Sequence, residues 1–407
     1  MSDRYPGGLI RKTPPTITPP VDGEGGSAPG IWTLEQASYY QGTGEWPKGV
    51  LPRELYAWGQ NNHGQLALGD VVRKSSPVQV GTLGIWENIA AGEESVVATQ
   101  TNGTLWGWGR NIRGELGQNN RIAYSSPVQI GALTNWYNVT NSSGSMIATK
   151  TDGTLWACGN NSLGRLGLNN TIDRSSPVQV GALSTWLNVV NGYGFAIATK
   201  TNGTLWSWGR AYDGETGQDD TTLRSSPTQV GSLTNWLSIA AGGYHSVVVK
   251  TDGTMWTWGE NDLGQLGLGT SGAYTGFSSP VQIGALTTWK TPSAGKKQNQ
   301  VIKIDGTLWH WGEGSNGQLG NGYTINVSSP AQTGSLDTWL KVGAAEDFSL
   351  ATKTDGTLWA WGLNGNGALG DNSAVSKSSP IQVGALTTWE NLPKMTLAVS
   401  SLATTKG

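Results

Sequence analysis

Three histidines and one cysteine are the scarce reactive side chains of this 407-residue chain. A histidine can serve as general base or metal ligand, and a cysteine thiolate as nucleophile, once a partner group is within hydrogen-bond reach. His63, His245 and His310 fall in different parts of the chain with no metal-ligand spacing between them. His310 stands between Trp309 and Trp311, where a structural role is expected. Cys158 occupies a position that elsewhere holds Trp, so it reads as a buried, inert thiol. No Ser-His-Asp order or nucleophile elbow is present. "GEGSNG" (312–317) offers glycines without the lysine and following helix of a phosphate loop. The acidic pairs Asp219-Asp220 and Glu346-Asp347 read as solvated loop charges. The expectation is a protein that is not an enzyme, with no catalytic residues, metal or cofactor.

Composition narrows the partners. The formal net charge is −2, which gives no electrostatic reason to expect nucleic acid. A single cysteine excludes an intrachain disulfide framework. The start "MSDRYPGG" lacks a secretory pattern, and no apolar run is long enough to span a bilayer, so no membrane insertion is expected.

The elements that would position any site are repeats. Trp-Gly pairs recur at Trp58, Trp108, Trp208, Trp258, Trp311 and Trp361, with Cys158 completing the series of seven. The step is 50 residues throughout except for one of 53. "SSP" and a later Trp, at 86, 136, 186, 236, 289, 339 and 389, also count seven. Each unit holds short runs rich in Val, Ile, Thr and Trp, with "T-D/N-G" as a hairpin turn between two of them. Four antiparallel strands per 50 residues make a propeller blade, and seven close a ring. The fold class is therefore an all-β, seven-bladed β-propeller over 51–407. "SSLATT" (400–405) matches the strand missing before "LYAWG" (55–59), so N- and C-terminal strands are predicted to pair and close the ring. Residues 1–50 read as an extended Pro/Gly-rich N-terminal arm, with Thr33 and Gln36 capping a short helix that Gly42 ends.

Comparing the repeats with one another locates variation. The "T-D/N-G" turns and "G-A/S-L-x-x-W" connections scarcely change, whereas the connections that enter the first strand of each Asp-Gly hairpin and leave its second differ freely. Alternation along antiparallel strands places both variable connections on one face. Binding is expected there, on loops held by a rigid scaffold. The candidate contact residues are Glu93, Glu94, Arg113, Tyr193, Tyr212, Tyr244, His245, Lys296, Lys297, Glu346 and Asp347. Tyr274 and Phe277 join them from "TSGAYTGF" (270–277), the insertion behind the 53-residue step.

The phrases "NGTLWGWGRNIRGELG" (102–117) and "DGTMWTWGENDLGQLG" (252–267) resemble the regulator of chromosome condensation repeat propellers, across roughly 52–407. That resemblance implies the propeller fold. Its founding member exchanges nucleotide on a small GTPase, and relatives include ubiquitin ligases, lectin-like proteins and inhibitors, so the fold does not select a function. "GIWTLEQASYYQGTGEWP" (30–47) is similar to a segment of marine tailed-bacteriophage structural proteins. That second likeness implies a virion structural protein of a tailed bacteriophage: a head decoration, fibre or tail appendage assembled in the host cytoplasm. Trp32, Leu34, Tyr39, Tyr40 and Trp46 would anchor it to other virion proteins, in a setting that allows a homo-oligomer. The propeller would face a host surface glycan or outer-membrane component. The alternatives are a cellular protein-interaction propeller, including an exchange-factor-like role, and a stand-alone glycan-binding lectin.

Overall fold

The computed structural model describes residues 53–81, 85–273 and 275–406. Arg53–Lys406 forms one compact unit of seven four-stranded antiparallel sheets arranged as a propeller. The expected helix after Thr33 and the five anchor residues lie outside the described residues.

Blade 1 shows the plan. Its strands run from Trp86–Ala91 at the ring's centre through Ser95–Gln100 and Leu105–Gly109 to Tyr124–Gln129 at the rim. The second strand is buried along its whole length, so "SVVATQ" is apolar or neutral throughout rather than alternating. The rim strand stays half-exposed.

The repeated phrase builds a turn and an inter-blade joint. In blade 2 the Asp152 carboxylate accepts hydrogen bonds from the Thr154 amide at 2.9 Å and hydroxyl at 2.6 Å. Thr154 Oγ1 in turn accepts the Trp156 indole N–H at 2.9 Å. Gly153 has φ +76°, and a Cβ there would lie 2.2 Å from the Ser184 carbonyl oxygen, so only glycine fits this turn. The following Trp of each repeat reaches backwards. Trp108, Trp208, Trp258, Trp311, Trp361 and Trp58 donate to the carbonyls of Gln65, Arg165, Glu215, Gln265, Gln318 and Ala368 at 2.8–3.0 Å. Each acceptor belongs to the preceding blade, and the last bond joins blade 7 to blade 6. Cys158 replaces the indole with a weaker S–H bond of 3.7 Å to the Glu115 carbonyl. The inner-strand Trp packs edge-on against the other two, as Trp186 does against Trp206 and Trp208 at 5.8 and 6.0 Å.

The ring closes as the termini predict. Ser400–Thr405 pairs antiparallel with Leu55–Gly59, Leu55 facing Thr404 and Gly59 facing Ser400. Trp389–Asn391 and Lys74–Gln79 complete that seventh blade. Every residue of Ser400–Thr405 is buried.

Candidate functional site

Strand alternation sorts the connections into two faces. The tips that join inner to second strands, such as 92–94, and the long connections such as 110–123 share one face, the loop face. The Asp-Gly turns occupy the other, the turn face. On the loop face the tips are stitched together near the axis. Tyr193 N–H donates to the Gly243 carbonyl, Gly243 to that of Lys296, Lys296 to that of Ala345, and Glu346 to that of Ala398. These bonds explain why widely different tip sequences keep one backbone path.

The structure gathers some predicted residues into clusters. Tyr193 and Tyr244 meet edge to face at 5.4 Å. The Arg210 guanidinium lies 4.4 Å from the Tyr244 ring and 5.1 Å from that of Tyr212. Arg210 is held there by Asp213 at 2.7 Å and by the fully buried Glu215. Burial pushes the Glu215 carboxyl up despite that cation. Tyr212 and Tyr193 are 59% and 39% exposed, so the aromatic surface is presented rather than packed away.

Around the axis charges alternate. Lys296 bonds Glu346 at 2.8 Å, and Lys297 spans Glu260 and Asp262 at 3.2 and 2.8 Å. Glu93 and Glu94 face Arg110 at 3.8 and 3.5 Å, and His63 approaches Glu94 at 3.3 Å. Burial, reinforced by Glu346, pushes the Asp347 carboxyl up to about 6. Arg113 stands apart, half-exposed and 3.6 Å from Asp173.

Two predicted residues sit elsewhere. His245 is fully buried, its Nε2 paired with Asn299 Oδ1 at 2.9 Å, because the first position of each second strand points between blades. Phe277 is exposed at the start of a rim strand, and Tyr274 lies outside the described residues. Comparison of repeats by type missed Arg110, Arg210 and Glu260. All three occupy the position directly after Trp-Gly, which also holds Gln60, Asn160, Glu313 and Leu363. That variation was a usable signal. Among the described residues no cluster of three or more His, Cys, Asp or Glu is placed to hold a metal. Nor, among the described residues, is any helix long and apolar enough to cross a membrane.

Comparisons with known proteins bear on the fold and the family. The model of the RCC1-like domain matches residues 54–401. No curated protein sequence matches the chain. Prp20p of Saccharomyces cerevisiae, solved in work on its binding to Gsp1p and histones, is 18% identical with a TM-score of 0.77. That alignment covers 88% of this chain and 92% of Prp20p. The same yeast protein bound to Kap60 aligns at 18% identity and TM-score 0.77, over 88% of this chain and 89% of that one. Human WBSCR16 is 17% identical with TM-score 0.77, over 88% of this chain and all of its own.

These findings correct the virion reading. The matched model is that of the RCC1-like domain, and these solved structures are yeast Prp20 and human WBSCR16, not particle components. The expectations of virion partners, glycan or outer-membrane attachment and a virion location fall with it. That reading rested on one short phrase at 30–47, outside the propeller, whereas the family match spans nearly all of the propeller. RCC1-like propellers are in general interaction or exchange-factor domains rather than catalytic ones. Over residues 54–401 the chain belongs to the RCC1-like domain family.

Proposed function

We propose that this chain is a cellular protein-interaction propeller that receives a protein partner on its loop face. The contact centre is the cluster of Tyr193, Tyr212, Tyr244 and Arg210. Residues 1–50 form a separate arm in this organisation and 51–407 the interaction domain. One observation carries the reading: three tyrosines and an arginine are held together on a rigid ring, with Tyr193 and Tyr212 exposed and Tyr244 and Arg210 half-buried beneath them. Tyr and Arg are enriched at protein interfaces. Tyr brings a large contact area with few rotors to freeze, and Arg a planar guanidinium that offers five donors and stacks on aromatic faces. The charge pairs around the axis form the surrounding polar rim. That yeast Prp20p is described as binding Gsp1p and histones supports a protein partner, while at 18% identity it does not name this one.

The test places a photo-crosslinking residue at Tyr212 and, as control, at Leu336 on the turn-face side. The partner identified is then titrated against the purified full chain. The Tyr212→Ala and Arg210→Ala variants are expected to weaken binding by at least about tenfold each, in the range of interface hot spots. Equal crosslinking from Leu336, or unchanged affinity in both variants, sinks the proposal. If the partner is a small GTPase, a nucleotide-release assay decides whether binding extends to exchange.

A further inference from the structure

Blade 7 breaks the repeat near the axis. From Trp86 to Ser95 blade 1 takes nine steps, whereas blade 7 takes eleven from Trp389 to Ser400, so two residues are added. The inner strand of blade 7 stops at Asn391, and the chain that follows leaves its sheet. Lys394 then pairs in parallel with Ala90 of blade 1, its amide donating to the Ile89 carbonyl. Met395 lies against Gly343 of blade 6. A segment that touches blades 1 and 6 while belonging to blade 7 runs along the wall of the central channel.

The Lys394 side chain continues around that wall. Its Nζ donates to Asn138 Oδ1 of blade 2 at 2.7 Å and to the Val189 carbonyl of blade 3 at 3.1 Å. Both acceptors are neutral, and among the described residues no carboxylate lies within ion-pair distance of it. One ammonium proton is left over. Beside it a cavity of about 650 Å³ opens to the turn face, lined by Asn88, Asn138, Asn188, Gln100, Asn102 and Lys394 among others. The Asn188 carboxamide accepts from Asn138 at 3.2 Å, while its own N–H groups have no acceptor among the described residues.

Charge at this mouth is unbalanced. The acidic and basic side chains on the inner strands are Glu87, Lys290, Lys341 and Glu390. Arg53 binds both acids, Glu87 at 2.7 Å and Glu390 at 3.2 Å. Lys341 bonds only the neutral Asn391 side chain. With Lys394 included, four cations (Arg53, Lys290, Lys341, Lys394) face two anions. The turn that borders the cavity carries Asn102, where four other blades have Asp152, Asp252, Asp305 and Asp355. Burial without a counter-charge pushes the Lys394 ammonium down to about 8.

We propose that the turn-face mouth of the central channel is a binding site for a small oxyanion, held by the Lys394 ammonium and the Asn188 carboxamide. The anion takes the free donor of each group and supplies the counter-charge that Lys394 lacks. The site lies on the face opposite the proposed partner surface and does not depend on it.

The probe is sodium sulfate, whose charge is constant over the pH range used. It is titrated calorimetrically into the full chain against chloride at matched ionic strength. One site is expected at pH 6.5, with a dissociation constant on the order of 1 mM. Above pH 8 the protonated fraction falls about tenfold per unit, so at pH 9.5 affinity drops by more than about tenfold. Lys394→Gln abolishes the heat, Asn188→Ala weakens binding roughly fivefold, and Lys394→Arg keeps binding at both pH values. Absence of sulfate binding at pH 6.5, or unchanged binding in Lys394→Gln, overturns the proposal. If Lys394→Gln gives no cooperative melt, Lys394→Arg decides: the same loss at pH 9.5 as in the unsubstituted chain refutes the site.

Discussion

Removing residues 400–407 tests how the ring is held shut. In six blades the second and third strands are joined by a covalent Asn- or Asp-Gly turn, but in blade 7 Ser400–Thr405 and Leu55–Gly59 meet only through pairing. The deletion removes the fully buried Leu402 and uncovers Leu55 and Trp58, each now fully buried. Burial of each such side chain contributes roughly 2 kcal/mol, giving a loss on the order of 6 kcal/mol before the backbone bonds are counted. Domains are stable by only about 5–15 kcal/mol. At about 2 °C per kcal/mol for a chain of this size, the melting temperature should fall by about 10 °C or more. Intrinsic tryptophan fluorescence reports the transition directly, because Trp58 and Trp389 sit in the affected blade. Two point variants separate strand loss from side-chain loss. Leu402→Ala and Leu350→Ala remove the same side chain from equivalent buried positions in blades 7 and 6, at about 3 kcal/mol each. A truncated chain melting within about 3 °C of the full chain, or no lower than Leu350→Ala, would refute clasp closure.

Cys158 is fully buried, and burial raises its thiol well above the usual range, so no thiol should react with iodoacetamide in the native protein at pH 8. One equivalent should react in denaturant, and rapid native labelling would contradict the packing. Burial pushes His245 down to about 4, against 6.5 for the free side chain. A depressed histidine favours the native state above pH 6.5, and this contribution is lost as pH falls from 6.5 towards 4. The loss amounts to about 3 kcal/mol at most. His245→Gln, which copies Gln298 at the equivalent position of blade 5, should flatten the dependence of melting temperature on pH in that window. His310, also pushed down to about 4, leaves a residual slope of the same sign, and an unchanged slope in His245→Gln counts against the assignment.

The sequence alone determined the propeller, its blade number and its closure. These follow from local features repeated at a fixed period: the Asn/Asp-Gly turn that only glycine can complete, and the Trp that must find cover on a neighbouring blade. It also placed the variable connections on one face, because strands alternate direction. Tertiary structure decided what those loops do with their side chains. His245 and Tyr244 are adjacent in sequence, yet one is sealed between blades and the other stacks on Arg210, since successive residues entering a strand turn to opposite sides. Arg210 meets Tyr244 across a blade boundary that no repeat unit contains. Lys394 shows the same limit more strongly. "NLPKMT" reads as a slightly long connection, and only the closed ring brings its lysine to Asn138 and Val189, more than two hundred residues away. Local chemistry writes the blade, but contacts along the axis exist only after seven blades have met.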